Sequence, residues 1–170
     1  MKHIDLFHGR VFQDGRDVKT KFSKTIDTTF FPVDPSYLKC FTAWVDYLRT
    51  EKLFCPQDGL FPKQDNGHVK GKGFGVLGLA RDTYSNGGLL NKIIRNAFAM
   101  VQMPEYTPHS FRTTLAMYGV DACVGNMEKL KAWSMNLAHE NMMTTVTSYM
   151  PVSRERRAEL IAGMQKERAK

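Results

Sequence analysis

The chain has 170 residues, with 24 Lys and Arg against 17 Asp and Glu and a formal net charge of +7, which fits one folded domain. Its 42% hydrophobic and 24% charged residues exclude wholesale disorder and fibrous repeats, and no apolar run approaches the ~20 residues of a membrane helix. We therefore expect a cytoplasmic domain away from the membrane, with a polyanion as the leading partner.

The first 33 residues predict a small antiparallel sheet. Residues 10–13 are a short, partly apolar run, and the Asp-Gly pair behind them is a hairpin turn signal. Residues 17–22 alternate polar and apolar positions as a half-exposed strand does. Residues 28–31 are β-branched and aromatic. Together these runs predict three strands.

The apolar period changes after Asp34 and predicts a helical body over residues 34–150. An amphipathic helix opens at Pro35. Residues 55–88 hold ten glycines or prolines and predict a long connecting loop within this body.

The rest of the chain is predicted to be helical. One helix begins at Thr107-Pro108 and ends at Gly119, and residues 151–170 form a charged C-terminal helix that opens with Ser153. The predicted fold class is therefore α+β, mainly α with a small N-terminal three-stranded antiparallel sheet, in a single domain over residues 1–170.

No cofactor or metal site is predicted. The glycine-rich stretch 71–75 lacks the second half of a dinucleotide fingerprint and has no strand before it. The three cysteines are odd in number and lack C-x-x-C spacing, which predicts buried thiols in a reducing compartment. His3 and His8 are expected on opposite faces of an extended segment, so they do not converge on a metal.

The most informative segment is YTPHSFR, from Tyr106 to Arg112. His109 and Arg112 are three residues apart, so on a helix they share a face with Cβ atoms about 5–6 Å apart. They also lie in the first turn, where free N–H groups and the helix dipole favour an anion. A planar Arg fork and an imidazole donor suit a phosphate, although a lone H-x-x-R is also compatible with a helix start that contacts solvent.

Further residues accompany this motif in a fixed order. They are Phe22-Ser23-Lys24-Thr25, then His109 and Arg112, then Leu137-Ala138-His139, then Thr144-Thr145, and finally Tyr149. This order resembles the catalytic domain of tyrosine recombinases, the phage integrase family. The resemblance extends from about Ile4 to Tyr149, and it is the combination that is specific.

The resemblance implies site-specific DNA recombination and integration, by strand breakage and rejoining through a 3′-phosphotyrosine. Tyr149 would be the nucleophile, and Arg112 and His109 would bind the non-bridging phosphate oxygens in the transition state. Lys24 would be the general acid for the departing 5′-oxygen, and His139 would hydrogen-bond the same phosphate and help to manage protons. The covalent link stores the bond energy, so no metal or cofactor is expected.

Double-stranded DNA is the expected partner, and the resemblance implies a homo-oligomer, a tetramer on DNA, for the full-length protein. Five further lysines are predicted to contact the DNA backbone: Lys19, Lys21, Lys63, Lys70 and Lys72. Lys24 is favoured over its neighbours as the acid because Ser-Lys-Thr before an extended apolar segment matches the family pattern. The C-terminal helix would pack in its own domain or be exchanged with a neighbouring subunit.

Two small departures concern the segment from Ala138 to Tyr149. Ala138 stands where the family commonly has Gly, and the spacing from His139 to Tyr149 is one residue longer than usual. A continuous helix would separate these two side chains by about 15 Å, so the chain must bend between them. The β-branched run 144–147 is the predicted place of that bend.

A larger departure concerns the family's first catalytic Arg, which precedes a segment that looks like Ile4-Asp5-Leu6. Arg10 and Arg16 lie within the strand region and do not fill its position, so we expect an N-terminally truncated catalytic domain. The alternative is a non-catalytic DNA-binding or interaction fragment, whose exposed apolar surface would promote self-association. A type IB topoisomerase shares the chemistry, but the order of motifs fits an integrase better.

Overall fold

A computed structural model describes residues 1–18, 20–71, 73–84 and 86–168. The predicted α+β class with an N-terminal three-stranded antiparallel sheet is confirmed. Where the sequence predicts one domain, the chain divides into two compact units, Met1–Pro108 and His109–Lys170. The first unit is mixed α+β, and the described part of the second unit is helical.

The N-terminal sheet has the strand order β1-β2-β3. Its strands are β1 (Ile4–Asp5), β2 (Arg10–Gln13) and β3 (Ile26–Thr29). Val11, at the centre of the sheet, lies opposite Ile4 on one side and Thr28 on the other. The middle strand has the bounds that the sequence predicts.

One predicted strand, residues 17–22, is wrong. The described residues of this segment lie in turns and in a short 3₁₀ helix, Lys21–Ser23. Phe22 and Ser23 have φ values of 61° and 51°, and this left-handed backbone cannot continue a strand ladder. The third strand is instead β1, which is too short to show a periodic pattern.

The first long helix, α1 (Pro35–Thr50), begins at the predicted residue. The Asp34 carboxylate caps it by accepting a hydrogen bond of 2.8 Å from the Ser36 N–H. Its inner face buries Val45 and Leu48 completely. Leu48 also packs with Met1 and Phe54 in the core of the first unit, so α1 supplies the centre of that core.

The long loop predicted for residues 55–88 is wrong over residues 62–83. Strands β4 (Pro62–Val69) and β5 (Gly73–Thr83) pair there as an antiparallel hairpin. The glycines of this segment interrupt the alternation of polar and apolar residues by which a strand is predicted. A Cβ on Gly67 would lie 2.6 Å from Leu77 Cδ1, so glycine is needed there for close packing. Gly71 and Gly73 have positive φ, which glycine adopts without strain.

Helix α2 (Gly87–Met100) completes the first unit. The Asn86 side chain caps it by accepting a hydrogen bond of 3.0 Å from the Gly88 N–H. No residue of α2 is buried, and Leu89 and Ile93 are about half exposed. No helix in the described residues is long and apolar enough to cross a membrane.

The described part of the second unit is built from four helices. They are α3 (Pro108–Ala122), α4 (Met127–Asn136), α5 (Met142–Tyr149) and α6 (Arg154–Arg168). α3 begins at Pro108, as the sequence predicts. The cap predicted for the C-terminal helix is also confirmed, since Ser153 Oγ accepts a hydrogen bond of 3.1 Å from the Arg156 N–H.

The predicted helix end at Gly119 is wrong, because α3 continues to Ala122. Gly119 is buried, and a Cβ there would lie 2.1 Å from Trp133 Nε1. That indole N–H donates a hydrogen bond of 2.9 Å to the Leu115 carbonyl, so the ring is held against α3. Glycine at 119 therefore allows the close approach of α3 and α4.

We predict that Gly119→Ala lowers the free energy of unfolding by about 1–3 kcal/mol, because the new methyl group must displace a hydrogen-bonded indole. Urea denaturation measures the change. Gly163→Ala in α6 is the matched control, since nothing lies within 4 Å of a Cβ built there. It should leave stability equal or slightly higher. Equal stability of Gly119→Ala and the wild type would contradict this packing.

Candidate active site

The second unit brings three of the predicted catalytic residues into one neighbourhood. Arg112 lies on α3, His139 lies in the connection from α4 to α5, and Tyr149 is the last residue of α5. His109 lies in the first turn of α3, three residues before Arg112. Lys24 belongs to the first unit and is described with it.

The chain reverses direction between α4 and α5 through a left-handed residue. Ala138 has a φ of 58°, and the His139 N–H donates a hydrogen bond of 3.1 Å to the Ser134 carbonyl at the end of α4. This is the usual way in which a helix ends on a left-handed residue. Holding a residue with a Cβ in this conformation costs roughly 1–2 kcal/mol.

The bend that the sequence requires between His139 and Tyr149 is present, but its predicted place is wrong. The chain turns before Asn141, whose side chain caps α5 by accepting a hydrogen bond of 2.8 Å from the Met143 N–H. The β-branched run 144–147 lies inside α5. The burial of Thr145 outweighs its modest helix propensity.

His139 is held from two sides. Its Nδ1 lies 2.9 Å from Thr145 Oγ1. Thr145 Oγ1 is hydrogen-bonded to Ser134 Oγ at 2.9 Å, and both Thr145 and Ser134 are fully buried. The Tyr149 ring lies parallel to the imidazole, with 6.2 Å between ring centroids and 6° between planes. The nucleophile predicted from the sequence is therefore a neighbour of the predicted histidine.

Arg112 ties α3 to the same turn. One of its Nη atoms donates a hydrogen bond to the Leu137 carbonyl, two residues before His139. A guanidinium has five N–H donors, so this bond uses one and leaves the planar group able to bind an anion as well. The position of Arg112 is thus set by the same segment that sets the position of His139.

The electrostatics of this neighbourhood favour a neutral His139. Partial burial of the ring lowers the pKa of His139 below its ordinary value of 6.5, and the positive charge of Arg112 lowers it further. A neutral imidazole can accept a proton near neutral pH. His139 is therefore prepared to act as a base.

His109 is exposed at the start of α3. Its backbone carbonyl accepts a hydrogen bond of 3.2 Å from Thr113 Oγ1. The three-residue spacing to Arg112 on a regular helix places both side chains on one face. The helix start predicted for this pair is confirmed.

Lys24 directly follows the 3₁₀ helix of the first unit and leads into β3. Its side chain is half-buried, and Nζ lies 5.2 Å from the centroid of the Phe22 ring. The Lys24 carbonyl accepts a hydrogen bond of 2.6 Å from Thr20 Oγ1. These contacts fix the backbone of the bend at which the lysine stands.

The predicted DNA-binding lysines differ in their surroundings. Lys63 Nζ lies 2.8 Å from Asp82 Oδ2 across the β4–β5 hairpin, whereas Lys70 is exposed where β4 ends. Lys19, Lys72 and the side chain of Lys21 lie outside the described residues. The charge of Lys63 is partly compensated within the fold.

Sequence reasoning missed Ser134 and the role of Thr145. Ser134 lies between Leu130 and Leu137, both buried, on the inner face of α4. A serine at such an apolar position needs a hydrogen-bond partner, and this is the signal that could have pointed to it. Within the described part of the chain, no group of three or more His, Cys, Asp or Glu could hold a metal ion.

The cysteine prediction needs correction. Cys123 is buried as expected, but Cys40 and Cys55 are exposed. All three are free thiols.

In comparisons with protein-family models, curated proteins and solved structures, no match to this chain was found. The arrangement of Arg112, His139 and Tyr149 is therefore the basis for a functional assignment.

We predict that His139 titrates below pH 6.5 in the folded protein, since burial and the Arg112 charge both oppose its protonation. NMR titration of the histidine ring signals measures this. Arg112→Gln should raise the pKa of His139 and still leave it below the ordinary value, because burial remains. Arg157→Gln, on α6, is the control and should change nothing. A wild-type pKa at or above 6.5 would contradict the described environment.

Proposed function

We propose that this chain carries a catalytic domain of the tyrosine recombinase, or phage integrase, family, which breaks and rejoins duplex DNA. The observation that carries the proposal is the Tyr149 ring lying beside His139, with Arg112 tied to the same turn. A phenol, a basic imidazole and a guanidinium are the groups that phosphoryl transfer to a tyrosine needs.

The proposed reaction is a direct exchange at phosphorus. His139 takes the proton of the Tyr149 hydroxyl, and the phenolate oxygen forms a bond to the phosphorus atom. The bond from phosphorus to the 5′-oxygen breaks, and that oxygen takes a proton from a general acid, the role that the resemblance implies for Lys24. Arg112 and His109 stabilise the charge on the non-bridging oxygens. The product is a 3′-phosphotyrosine and a free 5′-hydroxyl, and the reverse steps rejoin a strand.

The conformation of Ala138 supports the resemblance on which this proposal rests. The family commonly has Gly at this position, and the residue here is left-handed, with a φ of 58°. A left-handed residue at a helix end is the place where glycine is favoured. Ala138 thus has the backbone conformation that glycine would favour at this position.

The proposal extends to duplex DNA in the cytoplasm as the substrate and to homo-oligomeric assembly on DNA in the full-length protein. The net charge of +7 supports a DNA partner. A tetramer is the assembly that the resemblance implies.

A second candidate is a non-catalytic DNA-binding or interaction fragment. Both arginines of the strand region are engaged with aspartates: Arg10 lies 3.5 Å from Asp5, and Arg16 lies 2.6 Å from Asp14. The hydrogen bonds from Arg16 hold the pKa of the Asp14 carboxyl at about 2. Neither arginine is therefore a natural replacement for the family's first catalytic Arg.

We predict that the chain forms an SDS-resistant adduct with a pool of nicked duplex oligonucleotides of randomised sequence, because the nick lets the 5′-product diffuse away. Tyr149→Phe should abolish the adduct, since it removes the attacking oxygen. Tyr118→Phe, a matched change in the same unit, should retain it. The readout is the fraction of protein shifted on a denaturing gel.

The two candidates give different results in this experiment. DNA binding in a mobility-shift assay without any adduct would support the non-catalytic fragment. An adduct that persists in Tyr149→Phe would contradict the assignment of the nucleophile.

We predict that Lys70→Gln weakens binding to unrelated duplexes alike and reduces the slope of log K against log salt by about 0.9. Lys63→Gln should reduce the slope less, because Asp82 already compensates its charge. Fluorescence anisotropy over a range of salt concentrations measures both slopes. Equal effects of the two changes would contradict a persistent Lys63–Asp82 pair, and no effect of Lys70→Gln would exclude it from the DNA surface.

A further inference from the structure

Behind His139 lies a buried chain of two hydroxyl groups. Thr145 comes from α5 and Ser134 from α4, and both side chains are fully buried. Thr145 Oγ1 lies 2.9 Å from His139 Nδ1 and 2.9 Å from Ser134 Oγ. The half-buried imidazole thus rests against a hydrogen-bonded pair that is inaccessible to water.

The direction of these hydrogen bonds determines where the histidine carries its proton. Each hydroxyl has one proton to donate, so these distances fit two donor orders: from Ser134 through Thr145 to His139, or from His139 through Thr145 to Ser134. In the second order Thr145 Oγ1 accepts from His139, so Nδ1 carries a hydrogen. A neutral imidazole has one N–H, which leaves a lone pair on Nε2.

We propose the second order: Thr145 donates to Ser134 and accepts from His139, so the two hydroxyls are positioning residues that hold His139 in the Nδ1–H tautomer, with Nε2 kept as a proton acceptor. This inference rests on the proposed function for its meaning in catalysis, although the tautomer itself is a property of the protein without DNA. The lowered pKa of His139 supports it, because the tautomer exists in the neutral ring.

The tautomer refines the role that the resemblance implies for His139. A lone pair on Nε2 cannot bind a phosphate oxygen, because neither atom has a proton to share. Before cleavage, Nε2 can accept from a hydroxyl group, and the Tyr149 ring is its neighbour. After Nε2 has taken the Tyr149 proton, the imidazolium can donate to a phosphate oxygen while the new oxygen–phosphorus bond forms. His139 therefore accepts first and donates second.

Burial protects the hydroxyl pair from water. An exposed Thr145 could exchange its partner for water and turn its proton toward Nδ1, which would reverse the tautomer. Because Ser134 and Thr145 are both fully buried, the pair is closed to such an exchange. The pair thus supplies a fixed acceptor at Nδ1–H, as an orienting group does for a catalytic histidine.

Nitrogen-15 NMR of the histidine rings at roughly pH 8, above the ordinary histidine pKa, tests the proposal. His139→Gln identifies the signals of His139 by their loss. We expect a protonated Nδ1 and an unprotonated Nε2 in the wild-type protein. The opposite assignment, Nε2–H, would overturn the proposal.

Three variants distinguish an effect on the His139 tautomer from a general loss of stability. Thr145→Val removes the acceptor, and Ser134→Ala frees the Thr145 proton to turn toward Nδ1, so both should shift His139 toward Nε2–H. Thr145→Ser keeps the hydroxyl and should keep Nδ1–H. Circular dichroism checks that each variant is folded; should Thr145→Val unfold, the comparison of Ser134→Ala with Thr145→Ser still decides. An unchanged tautomer in a folded Ser134→Ala would overturn the proposal.

The catalytic consequence is measured separately. With the nicked duplex pool, Thr145→Val should form the adduct about 10²-fold more slowly, and Thr145→Ser should restore the rate. An adduct at the normal rate in a folded Thr145→Val would overturn the positioning role while leaving the proposed function intact. Conversely, a wild-type Nδ1–H tautomer without any adduct would leave the hydroxyl pair intact and contradict the catalytic function.

Discussion

The site depends on one connection, the turn that ends α4 at Leu137 and Ala138. The Leu137 carbonyl accepts a hydrogen bond from the Arg112 guanidinium. The left-handed Ala138 turns the chain so that His139 lies against α5. The backbone of this strained turn is hydrogen-bonded to the last turn of α4, from the Ala138 N–H to the Met135 carbonyl and from the His139 N–H to the Ser134 carbonyl. Without the turn, a guanidinium from α3 and a phenol from the end of α5 would have no common neighbour.

Local signals in the sequence predict the beginnings of elements well. Asp34-Pro35 and Thr107-Pro108 predict helix starts that the structure confirms, because these signals involve neighbours along the chain. Signals that depend on distant partners fail. Gly119 serves packing against Trp133 and not a helix end, and the glycines of β4 and β5 remove the alternation that identifies strands. The sequence predicts the bend within residues 144–147, but the chain bends before Asn141, because the burial of Thr145 outweighs its modest helix propensity.

In the candidate site too, local patterns can be read from the sequence, whereas contacts between distant residues cannot. The order of His109, Arg112, His139 and Tyr149 is visible in the sequence because each residue type has a required chemistry. The role of Ser134 is not visible in the sequence, since it depends on a hydrogen-bond partner, Thr145, that lies on another helix. Exposed apolar side chains, such as Leu89 and Ile93 on α2, agree with the expectation of uncovered apolar surface. The self-association expected from it stays a prediction.

The most direct test of Tyr149 as the nucleophile is to identify the side chain that becomes joined to DNA. The adduct formed with nicked duplex would be trimmed by nuclease, digested with protease and sequenced by tandem mass spectrometry. We expect a nucleotide phosphate on the peptide that contains Tyr149, with the added mass on that side chain. A nucleotide on any other residue, or no modified peptide at all, would contradict it.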